Sequence, residues 1–418
     1  MTVSPDISGT VVDPKAYADG RIDTVFAKLR QEAPIAWIEA DGYAPFWAVT
    51  RHADIMEVER RAEEFRTGTP PSLATIESFK RSSESEFAML RTLIQMDGKE
   101  HLAYRRLTQA WFMPANLRNL EPRIRELARG CIEKMAAFGG ECDFAQDVAL
   151  FYPLRVIMEI LGVPEPDEPL MLKLTQEMFG AHDEEMNRAG SAVDQQTAAE
   201  GMHAAVMDFV RYFNEMIEDR KANPRDDLAS VVANGEIDGK PLGFMEVVGY
   251  YLITATAGHD TTSNTTAASM WILAERPELL AELKADPKLI PAFIEESVRW
   301  ATSVKHFMRR AVNDTEIAGQ KIAQGEGLML CYQSANRDEA VFDRPFEFDI
   351  RRPPNKHIAF GHGPHVCLGQ HLGRMEMRIF WEELLPRLES VELAGTPANS
   401  SGVFVSGPKH VPIRYKLS

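Results

Sequence analysis

Apolar residues recur every three to four positions over several stretches of the chain, the spacing that gathers them on one face of a helix. Ile22 to Glu32, Ala53 to Phe65, about Asn116 to Phe138, Tyr152 to Leu161, Pro169 to Phe179 and Met202 to Asn223 read this way. In the third, Leu120, Ile124, Leu127, Cys131 and Met135 share the apolar face, and Cys131 reads as core filling. Pro122 marks a break or restart there, and Gly139-Gly140 ends the run. Strand signals are few: Ile35 to Ile38 and Phe46 to Thr50, with Asp41-Gly42 as the turn. Thr67 to Ser83, rich in Thr, Ser, Pro and Gly, predicts an irregular loop. Gly180 to Ala199 turns polar and acidic, as a mobile lid or an ordinary surface loop would. Residues 1–20 are polar and predict a loosely ordered segment. Residues 21–418 show no linker-like break in composition. The pattern predicts one large domain, mainly α with a smaller β region.

The net charge of −16 over 418 residues argues against nucleic acid as the main partner. The four cysteines, Cys131, Cys142, Cys331 and Cys367, lack Cys-x-x-Cys spacing, so neither zinc nor a disulfide framework is expected. The first residues carry no basic-then-apolar pattern of a secretory signal, and no run of about 18 apolar residues exists. A cytoplasmic protein without a membrane span is expected.

Four stretches carry candidate chemistry. From Phe244 to Glu275 a long apolar helix has a polar middle, Ala257-Gly258-His259-Asp260-Thr261-Thr262-Ser263-Asn264-Thr265-Thr266. Thr, Ser, Asn and Asp compete for backbone hydrogen bonds and Gly258 weakens the ladder, so a local distortion is predicted. In Met96 to Leu107, Asp97 can cap a helix, and His101 and Arg105 lie on one face of it. Taken alone, that face reads as exposed and polar. Glu296 and Arg299 are spaced for an ion pair, which alone reads as a surface pair. The last stretch is Phe360-Gly361-His362-Gly363-Pro364-His365-Val366-Cys367-Leu368-Gly369, followed by an amphipathic helix from Gln370 to Phe380. Unpaired backbone N–H groups at the helix start lower the pKa of Cys367 and favour thiolate. Gly361 and Gly363 allow a turn that can pass close to a large flat ligand, and Gly369 leaves room beside the cysteine.

The spacing Phe360-x-x-Gly363-x-x-x-Cys367-x-Gly369, with His365 two before the cysteine, resembles the haem-binding loop of the cytochrome P450 family. Ala257-Gly258-x-Asp260-Thr261-Thr262 and Glu296-x-x-Arg299 resemble that family's oxygen-activation and structural motifs. The match runs from about residue 90 to the C-terminus. Gly140 to Phe144, Leu161 to Gln176 and Gly407 to Arg414 are similar to a bacterial branch whose members include a terpineol hydroxylase. The resemblance implies the single-domain P450 fold and haem b (iron protoporphyrin IX), with Cys367 as axial thiolate. It implies that Phe360 and Gly369 flank the cofactor, while His101, Arg105, Arg309 and His365 hold its propionates. Arg310 competes with Arg309 for that role. Asp260 and Thr261 would manage protons, and Arg352 would join Glu296 and Arg299.

The activity so implied is monooxygenation: one atom of dioxygen enters a small hydrophobic substrate, whether terpenoid, aromatic or another hydrocarbon. Electrons would come from an external ferredoxin-type iron–sulfur donor and its reductase, and the protein would be a monomer. Arg106, Arg374 and Arg378 could form a basic docking patch, or pair with neighbours such as Glu376 and Glu382. Two departures stand out: Ser303 where the family often has proline, and Gly373 where alanine is usual. Residues 67–95 should line the distal pocket. A haem-thiolate sensor without turnover is the alternative, and the Asp260-Thr261 pair argues for turnover. A cysteine hydrolase would need a base and an orienting group; His365 is near, but no third group is evident.

Overall fold

The computed structural model describes residues 2–68, 70–84, 90–352 and 354–418. Its helices are α1 (Pro5–Val12), α2 (Pro14–Ala18), α3 (Arg21–Glu32), α4 (His52–Arg60), α5 (Ile76–Glu84), α6 (Gly98–Gln109), α7 (Pro114–Ala137), α8 (Phe151–Leu161), α9 (Glu168–Phe179), α10 (Gln195–Ala222), α11 (Leu228–Ala233), α12 (Phe244–Ala257), α13 (Asp260–Glu275), α14 (Pro277–Ala285), α15 (Ile290–Ala301), α16 (Tyr332–Ala335) and α17 (Gln370–Leu384). Its strands are β1 (Ile35–Ile38), β2 (Phe46–Val49), β3 (Phe65–Thr67), β4 (Glu141–Asp143), β5 (Glu236–Ile237), β6 (Lys240–Pro241), β7 (His306–Ala311), β8 (Thr315–Ile317), β9 (Gln320–Ile322), β10 (Gly327–Cys331), β11 (Leu388–Leu393), β12 (Ala398–Asn399), β13 (Pro408–His410) and β14 (Pro412–Leu417).

The largest core joins the apolar faces of α7, α8, α9, α10, α12, α13, α15 and α17, with Ile124, Ile157, Phe213, Tyr251, Leu273, Phe293 and Trp381 inside it. Rings meet edge-on around Trp381, with Phe293 at 5.3 Å and Phe380 at 5.4 Å. A smaller sheet runs in the order β1-β2-β10-β7-β3. Side chains alternate across it. Val49, Leu328 and Leu330 fill one cluster, while Phe46, Ala48, Met329 and Cys331 meet Tyr17 and Phe26 in another. The register sets Arg309 opposite Leu328 and His306 opposite Cys331. Among the described residues no helix is long and apolar enough to cross a membrane.

Several boundaries differ from those the sequence predicts. Residues 5–18 are not loosely ordered. Ser4 and Asp13 cap α1 and α2, each of which starts on proline, and Val11, Ala16 and Tyr17 are buried. Helix α4 stops at Arg60 because Phe65 pairs with Ala311 in the sheet. The irregular loop predicted over Thr67 to Ser83 takes in the last residue of β3 and most of α5. Helix α7 passes through Pro122 unbroken, and Arg125 holds it to Glu382 and Glu383 of α17 at 2.7 and 2.6 Å. Helix α10 starts at Gln195, inside the predicted polar break, because Asp194 accepts the N–H of Thr197 at 2.8 Å. The predicted distortion in the long apolar helix is a break at Gly258-His259, between α12 and α13.

Candidate active site

Cys367 lies two residues before Gly369, which sits at the cap position just ahead of α17. Its N–H donates to the carbonyl of Phe360 at 2.8 Å, closing the loop. Gly361 (φ +71°) and Gly363 (φ +67°) supply left-handed turns, and a Cβ on Gly363 would sit 2.5 Å from the Glu59 carbonyl oxygen. The close approach is therefore to α4. The Phe360 ring lies under the Arg374 guanidinium at 4.3 Å. Burial pushes the Cys367 thiol up, against the Gly369 N–H, Arg105 and Arg374, which favour thiolate. Burial thus outweighs the expected lowering by the helix start. Yet part of the cysteine surface stays open, and a Cβ on Gly369 would meet nothing within 4 Å.

Beside the loop the predicted His101, Arg105, Arg309 and His365 gather from α6, β7 and the loop itself. The His101 and His365 rings are 4.3 Å apart. Arg105 donates to the Val366 carbonyl at 2.8 Å. Burial first, then His365, Arg105 and Arg309, hold His101 down to about 4. Arg309 is buried with Glu59 at 3.8 Å, whereas Arg310 is exposed and donates to the Gly325 carbonyl. Asp97 does not cap α6 with its side chain; it accepts the Thr67 N–H at 3.0 Å and meets His365 Nε2 at 3.2 Å. Burial raises its carboxyl, but the bonds from His365 and Thr67 outweigh that and hold it below the usual range.

The break between α12 and α13 forms another wall. A Cβ on Gly258 would fall 2.3 Å from Ile157 Cγ1, so the break is packed tight on α8. Ala257 is exposed between the buried Ala255 and Thr256 on one side and the buried His259 on the other, so the helix keeps open surface at the break. Thr261 Oγ1 donates to the Ala257 carbonyl at 3.3 Å. Asp260 is buried; its Oδ1 is 3.1 Å from His259 Nε2 and its Oδ2 has no partner among the described residues. A Cβ on Gly373 of α17 would lie 3.6 Å from Thr262 Oγ1, so the helix after the cysteine touches the helix that carries Asp260 and Thr261.

Sequence reading missed Glu59, Ser303 and the linkage role of Asp97. Burial pushes Glu59 up to about 7, against the pull of Arg309 and a 2.7 Å bond from the Tyr332 hydroxyl. The Ser303 hydroxyl donates to the Thr261 carbonyl at 3.1 Å and meets Thr265 Oγ1 at 3.3 Å. No local pattern marks Glu59; the departure at Ser303 was the available signal. The basic patch is smaller than expected. Arg374 is bound to Glu295 at 2.6 Å and Arg378 to Glu382 and Glu121 at 2.9 and 3.1 Å. Arg106 is exposed and forms no ion pair among the described residues.

An iron porphyrin with two carboxylates fits these residues. It would use a soft sulfur ligand with open surface, room above Gly369, and buried arginine and histidine donors to one side. The cytochrome P450 family model matches residues 16–410. The chain is 46% identical to Cytochrome P450-terp of a Pseudomonas species, over 99% of this chain and 98% of that one. It is 32% identical to linalool 8-monooxygenase of Pseudomonas putida, over 96% and 97%. The crystal structure of CYP108D1 from Novosphingobium aromaticivorans superposes with a TM-score of 0.91 at 42% identity, over the whole of both chains. CYP268A2 of Mycobacterium marinum, solved in complex with pseudoionone, gives 0.85 at 31%, over 94% and 95%. The chain belongs to the cytochrome P450 family of haem b monooxygenases.

Proposed function

We propose that this monooxygenase oxidises a small terpenoid, with Cys367 as the thiolate that would bind the haem iron and a ferredoxin as electron donor. One observation carries the residue assignment. The helix that follows the Cys367 loop, α17, packs through Gly373 on Thr262 of α13, the helix that begins with Asp260 and Thr261. The chemistry that bound haem supplies is the activation of dioxygen and the insertion of one oxygen atom into a C–H bond. Cys367 Sγ would hold the iron, and the Gly369 N–H favours the charged sulfur. His101, Arg105, Arg309 and His365 would hold the propionates, with the buried Arg309 in that role and not the exposed Arg310. Thr261 Oγ1 would give a proton toward the bound substrate side, and Asp260, whose Oδ2 has no partner among the described residues, would relay the replacement proton from water to the Thr261 hydroxyl. Apolar walls exclude water and orient the substrate.

The terpenoid reading rests on the relatives named above, linalool 8-monooxygenase and Cytochrome P450-terp. Ferredoxin docking would use the cysteine side of the molecule, with Arg106 as an unneutralised cation. A cavity of about 320 Å³ lies between α7, α15 and α17, the helix that follows Cys367, with Arg118, Glu121, Glu295, His371, Arg374 and Arg378 among its lining. The test is turnover of α-terpineol and linalool under ¹⁸O₂, with NADH, a ferredoxin and its reductase. Hydroxylated product carrying one ¹⁸O is expected. Unchanged NADH oxidation with both terpenoids, beside turnover of a fatty acid or a steroid, would overturn the substrate class.

A further inference from the structure

His306 opens β7 and its ring is completely buried. Its Nε2 is 2.8 Å from the backbone N–H of Leu73, and its Nδ1 is 2.8 Å from the carbonyl of Val403. A backbone N–H can only donate, so Nε2 keeps its lone pair. A carbonyl can only accept, so Nδ1 carries the hydrogen. One neutral tautomer satisfies both contacts, and burial favours it, holding the ring's pKa down at about 4. The imidazole is a strut of fixed length between two segments outside regular structure, 70–75 and 400–407.

Both segments are also sewn to the β7 region. The Met308 N–H donates to the Pro71 carbonyl at 2.7 Å, the Lys305 N–H to Phe404 at 2.8 Å and the Ser406 N–H to Ser303 at 3.1 Å. The Phe404 ring follows from these anchors. It meets His306 edge-on at 5.5 Å, Phe307 at 5.3 Å and Phe179, the last residue of α9, at 6.3 Å. Phe179, Phe307 and Phe404 are only half-buried, as are Leu73, Val304 and Val403. The wall they make adjoins Thr261, because Ser303 bonds the Thr261 carbonyl. The charged ends nearby turn away: Lys305 Nζ goes to the Ala301 carbonyl and Lys409 Nζ to Asp183.

We propose that His306 is a positioning residue for substrate selectivity: by tying Leu73 and Val403 to β7 it fixes Phe404, and with it the shape of the apolar space beside Thr261. This rests on the reading that this space receives the substrate. The occupant so selected is compact and uncharged. Losing the strut should widen the site for bulkier hydrocarbons.

The test uses the haem-loaded full chain and His306→Ala, His306→Asn and His306→Gln. Asn restores only the donor to Val403 and Gln only the acceptor for Leu73. Dissociation constants for linalool and for a bulkier steroid are read from the substrate-induced spectral shift. In His306→Ala the preference between them should fall about tenfold, the scale of a lost pocket constraint, and one product should become several. Asn and Gln should each recover part of it. Nitrogen-15 NMR of the parent, assigned against His306→Gln, should show Nδ1 protonated and Nε2 bare. Unchanged preference and product ratio in His306→Ala, or a parent ring with bare Nδ1, would overturn the proposal. If His306→Ala does not fold, the Asn and Gln variants and the parent NMR decide by the same criteria. A parent lacking the thiolate-type spectrum of its reduced carbon monoxide complex would instead refute the underlying site, while the ring NMR still judges the strut.

Discussion

Removing the Glu296 carboxylate should cost more stability than any surface ion pair. Glu296 and Arg299 are both fully buried on α15. The carboxylate accepts from Arg299 at 2.6 and 2.8 Å, from the Asp349 N–H at 2.8 Å and from Asn355 at 3.0 Å, with Arg352 at 3.5 Å. Arg299 also donates to the carbonyls of Asn336, Pro345 and Glu347. Glu296→Ala leaves that guanidinium buried without its counter-charge, which costs about 3–5 kcal/mol. At about 2.1 cal/mol/K of unfolding entropy per residue, 418 residues convert this to a fall in Tm of about 3–6 °C. The damage should spread to the Cys367 loop, because Asn336 Oδ1 accepts the Ile358 N–H at 2.8 Å just before it. Melting followed by circular dichroism reads the global loss, and haem release reads the local one. Arg299→Ala and the double variant complete a cycle whose coupling should exceed about 2 kcal/mol. A Glu296→Ala protein that melts within about 1 °C of the parent, at the scale of an exposed pair, would refute the reasoning.

Thr261→Ala should bind substrate normally yet divert reducing equivalents to peroxide, whereas Asp260→Asn should slow oxygen uptake itself; product per NADH and uptake rate measure the two. Arg309→Met should weaken haem retention while Arg310→Met leaves it unchanged, as judged by haem transfer to apomyoglobin. At His410, burial lowers the pKa, but 2.5 Å contacts with Glu185 and Asp143 outweigh it and raise the value above 6.5. The contact therefore stabilises the 180–187 turn fully below about pH 6.5, the ordinary histidine value, and is lost as pH rises through the raised value. Hydrogen exchange of that turn should accelerate across this window beyond the intrinsic pH effect, and His410→Gln should abolish the excess.

The sequence was most informative where chemistry and local geometry coincide. Ile35–Ile38 and the end of α9 at Phe179 fell where the hydrophobic period put them. The break at Gly258-His259 followed from poor helix formers inside an apolar run. It was least informative where a partner far along the chain decides. Phe65 leaves its helix for Ala311, and Asp97 turns from its own helix to His365. Pro122 is tolerated in α7, which is clamped to α17. Helices α1 and α2 are a different case. Ser4-Pro5 and Asp13-Pro14 are cap-then-proline starts, a local signal that polar composition obscured. The arginine patch is a third case: Arg378 pairs with its neighbour Glu382, as the sequence allowed, while Glu295 and Glu121 come from other helices to Arg374 and Arg378. Burial works against Glu295, yet bonds from His357 and Arg374 hold it down to about 2, so that pairing persists at neutral pH.

Cys367 is the sulfur proposed to meet the cofactor. The most direct measurement is the absorption spectrum of the reduced carbon monoxide complex, in the parent and in Cys367→Ala, with Cys131→Ala, Cys142→Ala and Cys331→Ala beside them. Cys131 and Cys331 are buried in cores, and burial pushes Cys142 up to about 12, so none of the three offers an accessible thiolate. The thiolate-type band should be present in the parent and the three controls and absent from Cys367→Ala. A band that survives in Cys367→Ala, or disappears from a control instead, would contradict the account.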